Sequence, residues 1–371
     1  MSTCATTSRE LSESLAGTAA VARTWLLIEQ SGPWGAKALT SSHLDPAVGR
    51  ALEAAADGTG VRVALIRRPG RHADRRTPAR HRAFLAHTLP GRSWIRTTVL
   101  RDPGELPALD FTALGAGRHG GLWSAYTGDP LALVCTNGKR DRCCALLGRP
   151  LAAELATGGG AEVWEVTHLG GHRFSPTLLV LPHGYAYGRA DARGVKNALD
   201  AARQGRVVID GCRGRSAWDR PAQAAELAVR ELTGEDREEA VRVAVSVPAS
   251  GPVSGPVSGP VSGPVSLTGP DPVAGAPSVP PSAAPSVPMS AARPVGVAGV
   301  LPSASSAAPA WTVTVEHTDG RAWHVTVAQG AAEPPRPESC GAALGTPARM
   351  DVLTVRATAG TSAGSSADSP S

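Results

Sequence analysis

Apolar and polar positions alternate along this chain in two different rhythms, and each rhythm predicts its own kind of element. Short unbroken apolar runs bounded by polar turns occur at Thr24–Glu29, Val61–Ile66, Ser93–Leu100, Leu131–Cys135 and Thr177–Leu181. Runs of this length read as buried strands. Helical signals lie between them. Asp45 followed by Pro46 supplies an N-cap and an N1 proline for a helix to about Ala56. Cys143-Cys144 opens a second helix in which Leu147, Leu151 and Leu155 recur every four residues. Pro150 disturbs its regularity, and Gly158-Gly159-Gly160 ends it. Asp191 caps a helix to about Gln204, and Asp219-Arg220-Pro221 opens an amphipathic one through Leu232 that is expected to pack on the sheet. Ala161–Thr167 alternates as a strand, Pro182-His183-Gly184 is a turn, and Tyr185–Arg189 is another strand.

The segment Trp311–Val327 alternates cleanly enough to fix a hairpin register. A two-residue loop, Asp319-Gly320, sets Val315 opposite His324 and mixes the faces. A three-residue loop, Thr318-Asp319-Gly320, pairs Trp311 with Val327, Val313 with Val325 and Val315 with Trp323. It also puts Thr312, Thr314 and Glu316 opposite Thr326, His324 and Ala322, and leaves Gly320 on the left-handed position such loops require. The three-residue register is therefore the expected one. A strand over Asp351–Ala357 extends this sheet, and a unit so small is expected to dock on the rest of the chain.

Residues 126–245 thus read β-α-β, a loop, then β-β-α, the skeleton of a thioredoxin-like fold whose middle helix is replaced by a loop. The first 125 residues form an α/β half without readable chemistry. Composition changes the picture beyond that point. The chain holds 42 Gly and 32 Pro, and much of this excess is local: residues 251–266 are four copies of Gly-Pro-Val-Ser, continued by Pro, Ala, Ser and Val to Pro309. Prolines remove backbone donors, and nothing there is bulky enough to nucleate a core. The expected organisation is an N-terminal α/β region (1–125), a thioredoxin-like domain (126–245), a disordered linker (246–310), a C-terminal β-hairpin and strand (311–357) and a disordered tail (358–371).

Charge adds little. Net charge is +5, from 37 Lys+Arg against 32 Asp+Glu. Between Arg62 and Arg101 stand 11 arginines and one acid, Asp74, read as a solvated arginine-rich loop in preference to a phosphate or acidic-partner site. No aromatic stacking pattern accompanies it, so nucleic acid is not expected as a partner. No apolar run approaches the 18 or so residues that cross a bilayer, and the first residues lack a signal-peptide pattern, which points to a cytoplasmic protein with no membrane partner. Six cysteines (Cys4, Cys135, Cys143, Cys144, Cys212, Cys340) are too sparse for a disulfide scaffold and suggest metal or redox work in a reducing compartment.

Topology says which of these groups meet. A βαβ unit makes the strands ending at Cys135 and Thr167 parallel, so their carboxyl ends share one sheet edge. The helix opening at Cys144 starts at that edge, and its amino end favours thiolate over thiol. Cys135, Cys144, His168 and His172 are therefore expected to converge, with Gly170-Gly171 making the histidine segment a loop. Two thiolates and two imidazoles suit Zn²⁺ or an iron–sulfur cluster equally by residue type, and an unliganded core is the third possibility. Cys212 reads as structural, Cys340 as packed under the hairpin or reactive, and Cys4 as a free thiol on a mobile end. Trp25, Trp34, Trp94, Trp164 and Trp218 read as core anchors.

Three segments carry a resemblance: Cys135-Thr136-Asn137-Gly138-Lys139-Arg140-Asp141-Arg142-Cys143-Cys144 with Gly148-Arg149-Pro150; His168-Leu169-Gly170-Gly171-His172-Arg173-Phe174; and Tyr187-Gly188-Arg189. They resemble the signature of the sucrase/ferredoxin-like family, as do Gly17-Thr18-Ala19, the segment from Trp25 to Gly35, and Ser339-Cys340-Gly341. The resemblance implies a thioredoxin-like ferredoxin domain with a [2Fe-2S] cluster on Cys135, Cys144, His168 and His172, the family's spacing favouring Cys144 over Cys143. It implies one-electron transfer in place of independent catalysis. With two imidazoles for two thiolates, the potential should lie several hundred millivolts above all-cysteine ferredoxins and depend on pH. Lys139, Arg140, Arg142 and Arg173 would then steer an acidic redox partner protein. The word sucrase finds no support, since no pair of carboxylates can be assembled around a sugar-sized cleft. The rival readings are a zinc-stabilised interaction protein and a thiol redox enzyme using Cys143-Cys144.

Overall fold

The buried apolar runs lie side by side in one mixed sheet in the computed structural model, which describes residues 3–70, 80–158, 162–248 and 308–358. A short helix, α1 (Cys4–Glu10), precedes β1 (Thr24–Glu29), α2 (Pro46–Ala56), β2 (Val61–Arg67), β3 (His81–His87), β4 (Trp94–Leu100), α3 (Phe111–Gly115) and β5 (Ser124–Ala125). The chain continues through β6 (Leu131–Cys135), α4 (Arg149–Thr157), β7 (Glu162–Val166), β8 (Leu178–Leu181), β9 (Tyr185–Tyr187), α5 (Ala192–Arg203), β10 (Cys212–Arg215) and α6 (Arg220–Thr233). Asp45, Asp191 and Asp219 cap α2, α5 and α6, each carboxylate accepting a first-turn backbone N–H.

The sheet runs β10-β9-β8-β6-β7-β2-β1-β3-β4-β5, and it contains the same path twice. β1 lies parallel to β2 and antiparallel to β3, which pairs with β4; β6 lies parallel to β7 and antiparallel to β8, which pairs with β9. The registers agree residue by residue. Leu27 sits opposite Phe84 as Leu133 sits opposite Leu179, and Gln30 N donates to Ile66 O as Thr136 N donates to Val166 O. The two paths meet antiparallel at Ile66 and Val166, so equivalent residues face each other across an approximate two-fold axis. In this equivalence Glu29 occupies the place of Cys135. A buried ion pair beside the axis, Arg67 with Glu165 at 2.7 Å, closes the seam; removing one partner of such a pair costs about 3–5 kcal/mol.

β3 corrects the reading of the arginine-rich stretch as a solvated loop. His81 and Ala83 to His87 are buried, and some arginines of the stretch have fixed acceptors, while Arg80, Arg82, Arg92 and Arg101 are exposed. Arg62 Nη2 donates to His168 O at 2.9 Å, and Arg96 Nε donates to Leu122 O at 2.9 Å. A guanidinium on a long apolar stem can cross packed surface and end on a carbonyl, which a count of charges does not reveal. Residues 71–79 of that stretch lie outside the described residues.

The C-terminal segment forms β12 (Ala310–His317) and β13 (Ala322–Ala331) in the three-residue-loop register, with Trp311 opposite Val327, Val313 opposite Val325 and Val315 opposite Trp323. It is preceded in the chain by β11 (Val241–Pro248) and followed by β14 (Arg336–Pro337), β15 (Leu344–Gly345) and β16 (Ala348–Ala357). The expected hairpin and third strand are part of a four-stranded sheet, β11-β12-β13-β16, because β11 pairs with the outer side of β12. α6 docks this sheet: Ala222, Ala225 and Val229 pack against Val313, Val315, Val325 and Val327, while Leu227 reaches the core of the large sheet. Glu226 on α6 accepts from Tyr185 Oη at 2.6 Å and from Arg230 Nε at 3.1 Å, so the charges buried under the helix are partnered. The expected linker and tail lie outside the described residues except at their edges. No helix among the described residues is long and apolar enough to cross a membrane.

Candidate metal centre

The centre is built where β6 ends. Thr136 N carries the sheet ladder one residue further, and the chain then turns through a polar loop. Asn137 holds that loop, its Nδ2 donating to Gly35 O at 3.0 Å and its Oδ1 accepting from Lys139 N at 3.2 Å. The expected helix at Cys144 begins as a π-helical turn over Cys144–Gly148 before α4 takes over. Pro150 lacks the N–H that an unbroken helix would donate to Leu146, which favours such an irregularity. Gly148 lets the turn pass the strand end, for a Cβ there would sit 2.2 Å from Cys135 O. The two vicinal cysteines consequently part company. Cys144 faces Cys135 in the main core, whereas Cys143 packs with Cys4 and Ala5.

β7 delivers the histidines to the same edge, as the parallel pairing of β6 and β7 requires. His168–Gly171 is a loop with Gly170 at φ +77° and Gly171 at φ +66°, followed by a 3₁₀ turn over His172–Phe174. The two imidazoles lie 4.9 Å apart at 30°. Both Nδ1 atoms are buried and have no hydrogen-bond partner. Arg213, wholly buried, braces the loop from beneath: its Nη1 donates to Gly170 O at 3.1 Å, its Nε to Thr18 Oγ1 at 3.1 Å, and its Nη2 to Thr18 O. Sequence reasoning missed Arg213, because only the fold brings β10 under this loop.

The four expected residues therefore share one edge, and their ionisation is linked. A hydrogen bond from the Cys144 thiol holds Cys135 well below the ordinary thiol range; burial opposes this and His168 assists it. The same bond, with burial, pushes Cys144 up. Burial, then the neighbouring His168, lowers the His172 imidazole to about 4. Lys139, Arg140 and Arg142 are exposed on the loop above.

A second group stands immediately behind this edge. Cys4, Asp141, Cys143 and Cys340 place one donor atom each within 4.8 Å of the others, and the four could hold a metal ion. The expectation of Cys4 as a free thiol on a mobile end is corrected: it is 2% exposed, with its Sγ 3.3 Å from that of Cys143. Cys340 lies beside Cys143 at 3.1 Å rather than under the hairpin. Hydrogen bonding from Cys4, against the effect of burial, lowers Cys143 to about 6. Cys212 is buried in the core around α5, as expected of a structural thiol. The Asp141-Arg142-Cys143 spacing is the one local signal of this second group. Nothing in the sequence links it to Cys4 or Cys340.

Compared with known proteins, residues 15–214, more than half of the chain, match the family model for sucrase/ferredoxin-like proteins. No curated protein and no solved structure matches the chain.

Proposed function

The chain belongs to the sucrase/ferredoxin-like family, and from that premise we propose that it is a one-electron carrier whose [2Fe-2S] cluster is held by Cys135, Cys144, His168 and His172. The observation that carries this reading is the pair of buried, unpartnered imidazole Nδ1 atoms at the edge where the buried thiols of Cys135 and Cys144 share one core. A buried polar atom without a partner costs about 1–3 kcal/mol, so two of them at one place fit a group that takes up both. When bound, the cluster supplies one-electron redox chemistry at a potential raised by the two imidazoles.

This chain's own residues do the rest. Cys135 and Cys144 are buried in apolar core and keep bulk water from that side of the centre. Arg213 and Arg62, bonded to Gly170 O and His168 O, orient the histidine loop. Exposed Lys139, Arg140 and Arg142 offer a basic approach to an acidic redox partner. The strand order β9-β8-β6-β7, with α4 and α5 as its helices, supports a thioredoxin-like ferredoxin domain. Six free thiols support a reducing, cytoplasmic setting.

Anaerobic purification with iron and acid-labile sulfide analysis tests the reading. The expected result is a reddish-brown protein with about two irons and two sulfides per chain. Iron should be lost in Cys135→Ser and Cys144→Ser and kept in Cys143→Ser. A colourless, iron-free chain overturns the function, and iron that follows Cys143 in place of Cys144 overturns the ligand set.

A further inference from the structure

Three thiols and one carboxyl group from three distant stretches meet behind the π-helical turn: Cys4 at the start of α1, Asp141 and Cys143 in the loop after β6, and Cys340 between β14 and β15. Their sulfurs form a triangle with edges of 3.1, 3.3 and 3.6 Å, and Cys4 Sγ lies 3.9 Å from Asp141 Oδ2. We propose that this group is a structural zinc site, separate from the four ligands assigned above and going beyond that reading.

Charge argues for a cation. Asp141 is 3% exposed, and among the described residues no Arg, Lys or His pairs with it. Its oxygens accept only backbone N–H groups in addition to their thiol contacts, Oδ1 from Cys143 N at 2.8 Å and Oδ2 from Cys340 N at 2.9 Å. Ionised carboxylates so deeply buried are ordinarily paired or bound to metal. Those two amides aim the carboxylate at the sulfurs, as outer partners of a metal ligand do.

Size argues for a single ion. All four donors lie within 4.8 Å of one another, whereas four ligands of a multi-iron cluster cannot all share one iron, so some must stand further apart. Zn–S bonds of about 2.3 Å in a tetrahedron set sulfur–sulfur edges of about 3.8 Å, roughly 0.2–0.7 Å longer than the edges here, a change that small side-chain rotations supply. Donor chemistry argues for zinc, since three thiolates and a carboxylate are soft and tetrahedral, unlike the all-oxygen shells of magnesium and calcium. Binding replaces the thiol protons, which leave to solvent. Cys340, half-buried, gives the ion its route in. The bound ion would tie α1 and the C-terminal segment to the loop one residue before Cys144.

The test uses the full-length chain, purified anaerobically from zinc-supplemented cells. About one zinc per chain is expected. It should persist in Cys135→Ser and be lost in Cys340→Ser and Asp141→Ala. Mass-mapped alkylation of the unsubstituted protein should find Cys4, Cys143 and Cys340 protected until a chelator is added. Should the variants fail to fold, cobalt titration of the chelator-treated unsubstituted chain gives a second reading: thiolate-to-cobalt charge-transfer bands should rise and then vanish on adding one equivalent of zinc. Absence of zinc with immediate alkylation, a disulfide among the three cysteines in the anaerobic protein, or zinc that disappears with Cys135→Ser overturns the proposal. Zinc without iron sinks the electron-carrier reading and leaves this site standing; iron without zinc does the reverse.

Discussion

Replacing Gly171 by alanine should damage the histidine loop far more than the same change at its neighbour Gly170. Both residues are left-handed, at φ +66° and +77°, and an alanine there costs about 1–2 kcal/mol in backbone strain alone. Around Gly170 a Cβ would meet nothing within 4 Å, so strain is the whole effect. At Gly171 the Cβ would sit 2.1 Å from Arg213 Nη2. The guanidinium must move, yet it is wholly buried and held by Thr18 and Gly170. Hydrogen bonds to charged groups contribute about 1.5–3 kcal/mol each, so losing one brings the total for Gly171→Ala to roughly 3–5 kcal/mol. Thermal melting followed by circular dichroism is the assay. At about 2–4 °C per kcal/mol, the two variants should separate by several degrees, with Gly171→Ala lower. In an Arg213→Ala background the excess cost at Gly171 should vanish, as a double-mutant cycle would report. Equal midpoints for the two single variants would refute the claim that Arg213 braces this loop.

His168→Cys and His172→Cys should each retain iron while lowering the reduction potential and weakening its dependence on pH, measured by redox titration; an unchanged potential in both variants argues against histidine ligation. Far from the centre, His87 is buried with its Nδ1 2.8 Å from Thr24 Oγ1, and burial lowers its imidazole to about 4. A depressed histidine stabilises the fold fully above its ordinary value of about 6.5 and loses that contribution as pH falls toward 4, so about 2 kcal/mol should disappear between pH 7 and pH 5. His87→Gln should flatten that slope in melting curves, and an unchanged slope would assign it to other groups.

Much of the centre was legible because it depends on local order and on one topological rule. The strand ending at Cys135, the alternation of Glu162–Val166 and the glycines between His168 and His172 are short-range signals, and parallel βαβ pairing then puts their ends on one edge. The C-terminal register was equally readable, since a one-residue slip would have placed His324 among valines. Less visible was β3, whose arginine-rich surroundings disguise a buried strand. With it hidden, the repetition of the β1–β4 path in β6–β9 could not be seen, because that repetition lives in hydrogen-bond register and not in residue identity.

Periodicity, spacing and the parallel βαβ rule were enough to put Cys135, Cys144, His168 and His172 at one sheet edge, because each follows the end of an element whose partner is its neighbour in the chain. They did not separate Cys143 from Cys144. That was decided by the π-helical turn, whose passage over Gly148 points one thiol at Cys135 and the other at Cys4. Nor could they place Cys4 and Cys340 beside Asp141, contacts that span 137 and 199 residues. Contacts of that separation depend on how α1 and the C-terminal segment pack against the large sheet, and side-chain patterns within a single element carry no information about that packing.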